Sequence, residues 1–215
     1  MKIYVIRHGE TGANAEGRLQ GWINEPLNEL GVKLGRITGA ALKGVKFDIA
    51  ISSPLDRALH TAKIILEESG NIGTQILTDE RLKEIHMGSW EGQYLHGERS
   101  SLPQDLVAQF FKDPFVLDSF PEGENAKQVC ARTGDFLQEL VRNSAYETVL
   151  LSTHGFAMRA LLNPLYAHPE NFWQGKVPNN CAVNIIEAVN GQCHLVGAER
   201  IYYDISLSND RFAKA

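Results

Sequence analysis

Residues 2–14 read K-I-Y-V-I-R-H-G-E-T-G-A-N, an apolar run that leads directly into a polar loop. Four of the five residues in 2–6 are β-branched or aromatic, which favours a buried strand. Arg7 and His8 follow side by side, ahead of a glycine. Ligands of α/β sheets bind at the carboxyl ends of the strands, so this loop is a candidate site.

The side chains of this loop suit phosphate chemistry. Arg7 offers a planar fork of donors that matches phosphate or carboxylate oxygens. His8 can act as a base or as a nucleophile near neutral pH. The pattern therefore favours a histidine that handles phosphate, and incidental charges at the end of a core strand are the alternative.

Length, charge and cysteine content narrow the class of protein. The chain of 215 residues suits a single α/β domain over 1–215. Its net charge of −5 does not favour nucleic-acid binding. We find no secretory signal and no apolar run near the ~20 residues that cross a membrane. Three scattered cysteines, Cys130, Cys181 and Cys193, lack metal-ligand or disulfide spacing, which favours a cytoplasmic setting and no metal.

A second predicted strand, 47–51, also ends at a polar turn. Ser53 and Pro54 are typical of the N-cap and first residue of a helix. Arg57 then falls in the first helical turn, where a cation opposes the helix dipole. A bound phosphate would balance this charge, and pairing with a carboxylate such as Glu10 is the alternative.

A fourth predicted strand, 148–151, leads into T-H-G, which includes His154, and is the third to end at a candidate phosphate group. The carboxyl ends of parallel strands meet at one edge of a sheet. We therefore expect Arg7, His8, Arg57 and His154 to lie in one site.

The remaining patterns complete an α/β architecture. Helices are predicted over 29–43, from about 125 to 143 and after His154, with strands at 75–78, 181–187 and 192–198. Asn190–Gly191 is a strong hairpin signal. Residues 14–28 are predicted to be a loop in which 17–21 bring backbone N–H groups to an anion. The glycines Gly31, Gly35 and Gly39 predict close helix–sheet approach, and the polar tail from Ser206 is expected to fray.

The segment 93–128 is aromatic and irregular, and it contains a helical pattern in D-L-V-A-Q-F-F-K. It is interpreted as a cap over the site that sets substrate choice. Just before it stand Glu80, Glu84 and Glu91, any of which could protonate a leaving oxygen. The residues alone do not choose among these three carboxylates.

Six motifs together resemble those of the histidine phosphatase superfamily, also called the phosphoglycerate mutase-like family. They run in order along nearly the whole chain: R-H-G-E-T-x-x-N at 7–14, S-P-L-x-R-A-x-x-T-A at 53–62, L-x-E-x-x-x-G-x-W-E-G at 82–92, P-E-G-E-N at 121–125, T-H-G at 153–155 and N-C-A-V at 180–183. The resemblance implies a three-layer α/β/α sandwich around a mostly parallel sheet, with a small helical cap excursion. No metal or other cofactor is implied.

The resemblance also implies a role for each matching residue. His8 would be the nucleophile that forms a phosphohistidine, and Glu84 the proton donor. Arg7, Arg57 and His154 would hold the phosphoryl oxygens, with Asn14 as a further contact. Gln20 and Gly21 are added as phosphate-binding candidates from the loop 17–21.

The motif spacing favours the phosphatase branch. Cofactor-dependent mutases carry a signature that resembles E-R-H-Y-G, whereas I-H-M-G-S-W-E-G follows Glu84 here. The segment 93–128 is also poor in the basic residues that a second phosphate would need. We therefore expect a histidine acid-type phosphatase that hydrolyses a small phosphate ester. A 2,3-bisphosphoglycerate-dependent mutase and a non-catalytic phospho-ligand binder are the alternatives. No nucleic-acid or membrane partner is expected, and a homodimer is left open.

Overall fold

The centre of the molecule is a six-stranded sheet. The computed structural model describes residues 1–143 and 145–213. The strands are Lys2–Arg7 (β1), Ile49–Ser52 (β2), Ile76–Thr78 (β3), Thr148–Thr153 (β4), Val183–Val189 (β5) and Gln192–Arg200 (β6). They lie in the order β3-β2-β4-β1-β5-β6. The first four are parallel and the last two antiparallel, so the predicted mostly parallel sheet is confirmed.

Helices cover both faces of this sheet. The α-helices of the described residues are Gly12–Glu16 (α1), Glu29–Ala41 (α2), Asp56–Ser69 (α3), Gln104–Lys112 (α4), Ala126–Asn143 (α5) and Gly155–Leu162 (α6), of which α3, α5 and α6 pack on the strands. Successive side chains of a strand point to opposite faces. Ile3 and Val5 accordingly pack with α5 and α6, whereas Ile6 packs with α3. The three-layer α/β/α sandwich is thus confirmed. None of the helices in the described part of the chain has the length and apolar character that a bilayer span requires.

Two local predictions before the middle of the chain are wrong. Helix α3 begins at Asp56, with Leu55 as an N-cap that makes no side-chain hydrogen bond, so Ser53 is not the cap. Part of the predicted loop 14–28 is helical, because Thr11 and Asn14 form a reciprocal capping box at the start of α1. A helix of five residues is too short to show a periodic apolar pattern.

The late hairpin agrees with its sequence signal. Asn190 and Gly191 both have positive φ, at 51° and 78°, as the tight turn between β5 and β6 requires. Strand β5 starts at Val183 rather than at Cys181, because the φ of Cys181 is 55° and the chain still turns there.

The glycines of α2 permit close contacts, but not with the sheet as predicted. A Cβ at Gly35 would lie 3.2 Å from the Ile64 side chain of α3, so this part of α2 packs on another helix. A Cβ at Gly31 would lie 2.1 Å from the carbonyl oxygen of Glu10, in the loop after β1. Helix α2 therefore supports the candidate site from behind.

We predict that Gly31→Ala destabilises the fold and lowers activity, because the backbone of the loop that carries His8 must move. Overpacking of this kind costs about 1–3 kcal/mol. Gly134→Ala is the matched control, since Gly134 lies in helix α5 and an added Cβ meets nothing within 4 Å. That substitution should stabilise by about 0.5–1 kcal/mol. Urea unfolding measures both, and equal changes in the free energy of unfolding would contradict the prediction.

Candidate active site

Three strand ends meet at one edge of the sheet, as predicted. Arg7 at the end of β1 is in register with Thr153 at the end of β4, and Ser52 of β2 is in register with Ser152 of β4. The N–H of His8 donates to the Thr153 carbonyl at 2.9 Å. This continued pairing aligns the loops that carry the polar side chains.

A cavity opens at this edge and is lined by both polar and apolar groups. Its polar lining comes from Arg7, His8, Asn14, Arg18, Gln20, Arg57 and Glu84. Its apolar lining comes from Leu19, Met87, Phe110, Phe111, Phe156, Trp173, Val177 and Phe212, with Gly21 and Gly155 between. An anion and an apolar group could therefore bind side by side.

The His8 ring is fixed in one orientation. Its Nδ1 lies 2.7 Å from the Gly9 carbonyl oxygen, which can only accept, so Nδ1 carries the proton. The other nitrogen, Nε2, keeps its lone pair. Burial lowers the pKa of His8 well below its usual value, and the nearby Arg57 and Arg7 lower it further. A neutral imidazole with a free Nε2 is the form that can attack phosphorus.

Hydrogen bonds from the late part of the chain hold the backbone of Arg7 and His8 in place. The Asn180 side chain donates from Nδ2 to the His8 carbonyl at 3.1 Å, and the Cys181 N–H donates to the Arg7 carbonyl at 3.1 Å. The Tyr203 hydroxyl in turn donates to the Asn180 carbonyl at 2.6 Å. The motif N-C-A-V therefore supports the position of the histidine.

Arg57 is fully buried and faces carbonyl groups rather than a carboxylate. Its two terminal nitrogens donate to the carbonyls of Gly21 and Ile23, both at 2.7 Å. Its Nε is buried without a partner among the described residues. Burial lowers the pKa of Arg57 to about 10, so the group is still charged near neutrality. Pairing with Glu10 is wrong, because that carboxylate accepts from the side chain of Asn28 and a backbone N–H.

Arg7 is also buried, and its Nη1 is held from one side. That nitrogen forms an ion pair with Asp210 at 2.7 Å and donates to the Pro178 carbonyl. Its Nε, like that of Arg57, has no partner among the described residues. An unsatisfied buried donor costs about 1–3 kcal/mol. Both arginines line the same cavity, and two buried guanidiniums there suit an anionic ligand.

His154 lies beside His8 but does not line the cavity. The two ring centroids are 5.1 Å apart, and the Nε2 of His154 lies 2.8 Å from the Ser53 hydroxyl. Burial lowers the pKa of His154 well below its usual value, with Arg57 and His8 adding to the effect.

Among the three candidate carboxylates of the sequence, Glu84 lines the cavity. It accepts hydrogen bonds from the N–H groups of Ile85, Phe156 and Ala157 at 2.9–3.1 Å. Glu91 and Glu80 are not among the described residues that line the cavity: Glu91 accepts from two backbone N–H groups elsewhere, and Glu80 pairs with a lysine. The geometry therefore brings Glu84 together with His8.

The candidates for phosphate binding between residues 14 and 21 agree only in part with the prediction. Asn14 and Gln20 both line the cavity, and Gly21 contributes the carbonyl that Arg57 binds. The N–H groups of residues 17–19 bond to carbonyls of residues 14, 13 and 93. For these three residues the predicted cradle of backbone donors is therefore wrong.

A family model for the histidine phosphatase superfamily (branch 1) matches residues 3–200. The chain belongs to this superfamily. It is 28% identical to phosphoserine phosphatase 1 of Hydrogenobacter thermophilus, over 91% of this chain and 94% of that one. It is 33% identical to a 2,3-bisphosphoglycerate-dependent phosphoglycerate mutase of Rhizobium rhizogenes, over 74% and 77%. The solved structure of Bacillus stearothermophilus YhfR aligns with a TM-score of 0.82 and 32% identity, over 91% and 95%. The similarity to these relatives supports the assignment of this chain as a phosphoryl-transfer enzyme of this superfamily.

The sequence did not reveal the hydrogen bonds that hold the Glu84 backbone in place. Arg132 forms a two-pronged ion pair with Glu124, at 2.8 and 2.9 Å. Arg132 also donates to the carbonyl of Glu84 at 2.9 Å, and the Trp22 indole donates to the same carbonyl at 2.8 Å. Only P-E-G-E-N hinted at Glu124, and nothing in the sequence singled out Arg132.

Residues 208–212 also pack beside the candidate active site. The expected fraying from Ser206 is wrong for the described residues, because Ser208, Asp210 and Phe212 are buried. The last two residues of that tail lie outside the described part. The polar composition of the tail did not indicate that Asp210 pairs with the distant Arg7.

The histidine pKa shifts predict an acid-sensitive fold. In the unfolded chain His8 and His154 bind protons as the pH falls through about 6.5, whereas both lowered pKa values delay protonation in the folded state. The free energy of unfolding should therefore decrease below about pH 6.5, by at most about 1.4 kcal/mol per pH unit for each histidine.

Urea unfolding between about pH 7 and pH 5 measures this slope. His154→Gln should make the slope shallower, because one of the two proton acceptors is removed. His60→Gln is the control, since His60 is exposed on α3. Equal slopes for wild type and His154→Gln would refute the assignment.

Proposed function

We propose that this protein is a phosphomonoester hydrolase that works through a phosphohistidine at His8, without a metal ion. The observation that carries the proposal is the single fixed orientation of His8 beside two buried guanidiniums. Its Nδ1 is bound to the Gly9 carbonyl, which leaves Nε2 as the attacking atom. Phosphoryl transfer depends mainly on such positioning and on neutralisation of the equatorial oxygens.

In the first step of the proposed reaction, Nε2 of His8 attacks phosphorus and the ester P–O bond breaks. Glu84 supplies the proton to the departing oxygen. In the second step water attacks the phosphohistidine, Glu84 takes the water proton, and the N–P bond breaks to release phosphate. Arg7 and Arg57, with Asn14 and Gln20, hold the phosphoryl oxygens, and His154 supports His8 and the anion from behind.

Charge in the cavity favours hydrolysis over mutase activity. A mutase of this type must hold a doubly phosphorylated intermediate. Of the described lining residues, Arg18 is the only cation besides Arg7 and Arg57. Its guanidinium pairs with Glu16 at 2.6 Å and with Glu25 at 2.7 Å, so its charge is already balanced. The cavity therefore suits a substrate with one phosphate.

The aromatic side chains that line the cavity suit a substrate whose organic part is apolar or planar. Phe110 stacks on Phe156 at 5.5 Å between ring centroids, and Phe111 stacks on Trp173 at 5.4 Å. Both Phe110 and Phe111 come from α4, within the segment 93–128. We propose that this segment caps the site of a single domain and sets substrate choice. The substrate class is thus a small phosphorylated metabolite.

The first test is hydrolysis of p-nitrophenyl phosphate without added metal, by wild type and by His8→Ala. We expect turnover by the wild type and a loss of at least roughly 10⁴-fold in the variant, because the nucleophile is gone. A base-stable, acid-labile phosphoenzyme should form only where His8 is present. His60→Ala, on an exposed position of α3, should match the wild type. Conversion of 3- to 2-phosphoglycerate, primed by the bisphosphate, would instead favour a mutase.

The second test addresses the proton donor. Glu84→Gln should slow hydrolysis of alkyl phosphates by about 10²–10³-fold, because their leaving oxygen needs a proton. Hydrolysis of p-nitrophenyl phosphate, whose leaving group departs as the anion, should slow far less. Glu80→Gln is the matched control, since Glu80 is an exposed carboxylate of the same segment. Equal losses for both substrates would reject the acid role of Glu84.

A further inference from the structure

The segment 209–212 is attached to the loop that carries His8. The N–H of Asn209 donates to the Glu10 carboxylate at 2.8 Å, and the N–H of Arg211 donates to the Asn14 carbonyl at 3.2 Å. Glu10 and Asn14 both belong to the motif R-H-G-E-T-x-x-N. Two hydrogen bonds from alternate residues fix the segment along this loop.

Asp210 lies between these two anchors and faces Arg7. Its Oδ2 is 2.7 Å from Nη1 of Arg7, and both side chains are almost completely buried. Its other oxygen, Oδ1, accepts from the N–H of Phe212 at 2.9 Å. A guanidinium fixed on one edge can present its remaining donors in one direction.

Phe212 continues the segment into the apolar side of the cavity. Its ring is buried in the same cluster as Phe110, Phe156 and Trp173, and it lines the cavity with them. The segment therefore touches both halves of the site, one through a carboxylate and the other through an aromatic ring.

We propose that residues 209–212 complete the active site: Asp210 is a positioning residue for the Arg7 guanidinium, and the Phe212 ring contacts the organic group of the substrate. This inference rests on the proposed function. It makes the end of the chain a determinant of specificity in addition to the segment 93–128.

The charge of Asp210 gives the proposal a test with two opposite outcomes. A carboxylate beside a phosphate site repels the phosphate, so its removal would by itself tighten phosphate binding. If Asp210 instead orients Arg7, its removal takes away one of the two groups that hold Nη1, the other being the Pro178 carbonyl, and weakens phosphate binding. Misplacement of a binding group by about 1 Å costs up to about 10²-fold in rate.

The first experiment compares Asp210→Ala and Asp210→Asn with the wild type. We expect kcat/KM to fall by about 10- to 100-fold in the alanine variant, for every phosphate ester tested. The asparagine variant keeps an oxygen that can accept from Arg7 and should lose less. Calorimetric binding of inorganic phosphate should weaken in the same order. Tighter phosphate binding in both variants would overturn the positioning role.

The second experiment tests Phe212 with benzyl phosphate and ethyl phosphate, whose leaving groups are both alkoxides. Phe212→Ala should lower kcat/KM about 10-fold for the benzyl ester and change it less than about 2-fold for the ethyl ester. An equal change for both esters would overturn the contact. This variant leaves the Arg7 ion pair intact, so it stays informative if Asp210→Ala does not fold.

Ile205→Ala is the control for both experiments, because Ile205 is half exposed in the same part of the chain. It should match the wild type in both assays. The proposed hydrolase activity and the positioning role of Asp210 can be refuted independently. A wild type that binds phosphate but hydrolyses neither ester would refute the proposed function, whereas the effect of Asp210 on phosphate affinity would still be measured.

Discussion

Two guanidinium groups are buried at the carboxyl edge of the sheet, and much of the site follows from that constraint. Arg57 donates to carbonyl oxygens rather than to a carboxylate. The Nε atoms of Arg57 and Arg7 are buried and have no partner among the described residues. The same positive charges add to burial in lowering the pKa of His8 and of His154. One arrangement thus attracts an anion and keeps the imidazole that would attack it neutral.

The sheet and its neighbours hold this arrangement by backbone contacts rather than by side-chain packing alone. The register of β1 with β4 continues into the His8 N–H bond to Thr153. Gly31 lets helix α2 touch the Glu10 backbone, where any larger residue would collide. Such contacts tolerate little movement, which suits chemistry that depends on the position of one nitrogen.

The sequence predicted the parts of this site that local patterns encode. Apolar strands that end at Arg7 and His154 were visible as patterns, and the first turn of α3 was expected to carry Arg57. The resemblance then selected Glu84 among three carboxylates. The pairings of Arg132 with Glu124 and of Arg7 with Asp210 join distant segments, and no period or spacing marks such contacts. Ser53 is typical of an N-cap, but helix α3 begins only at Asp56, and the Ser53 hydroxyl contacts a histidine 101 positions later, which no local pattern marks.

The two halves of the cavity come from different parts of the chain. The polar lining comes from the end of β1 and the segments after β1, β2 and β3, whereas most of the apolar lining comes from α4, α6, Trp173, Val177 and Phe212. Charge neutralisation requires a fixed geometry, but apolar contact depends mainly on area and shape. The apolar side can therefore change while the phosphate side stays constant.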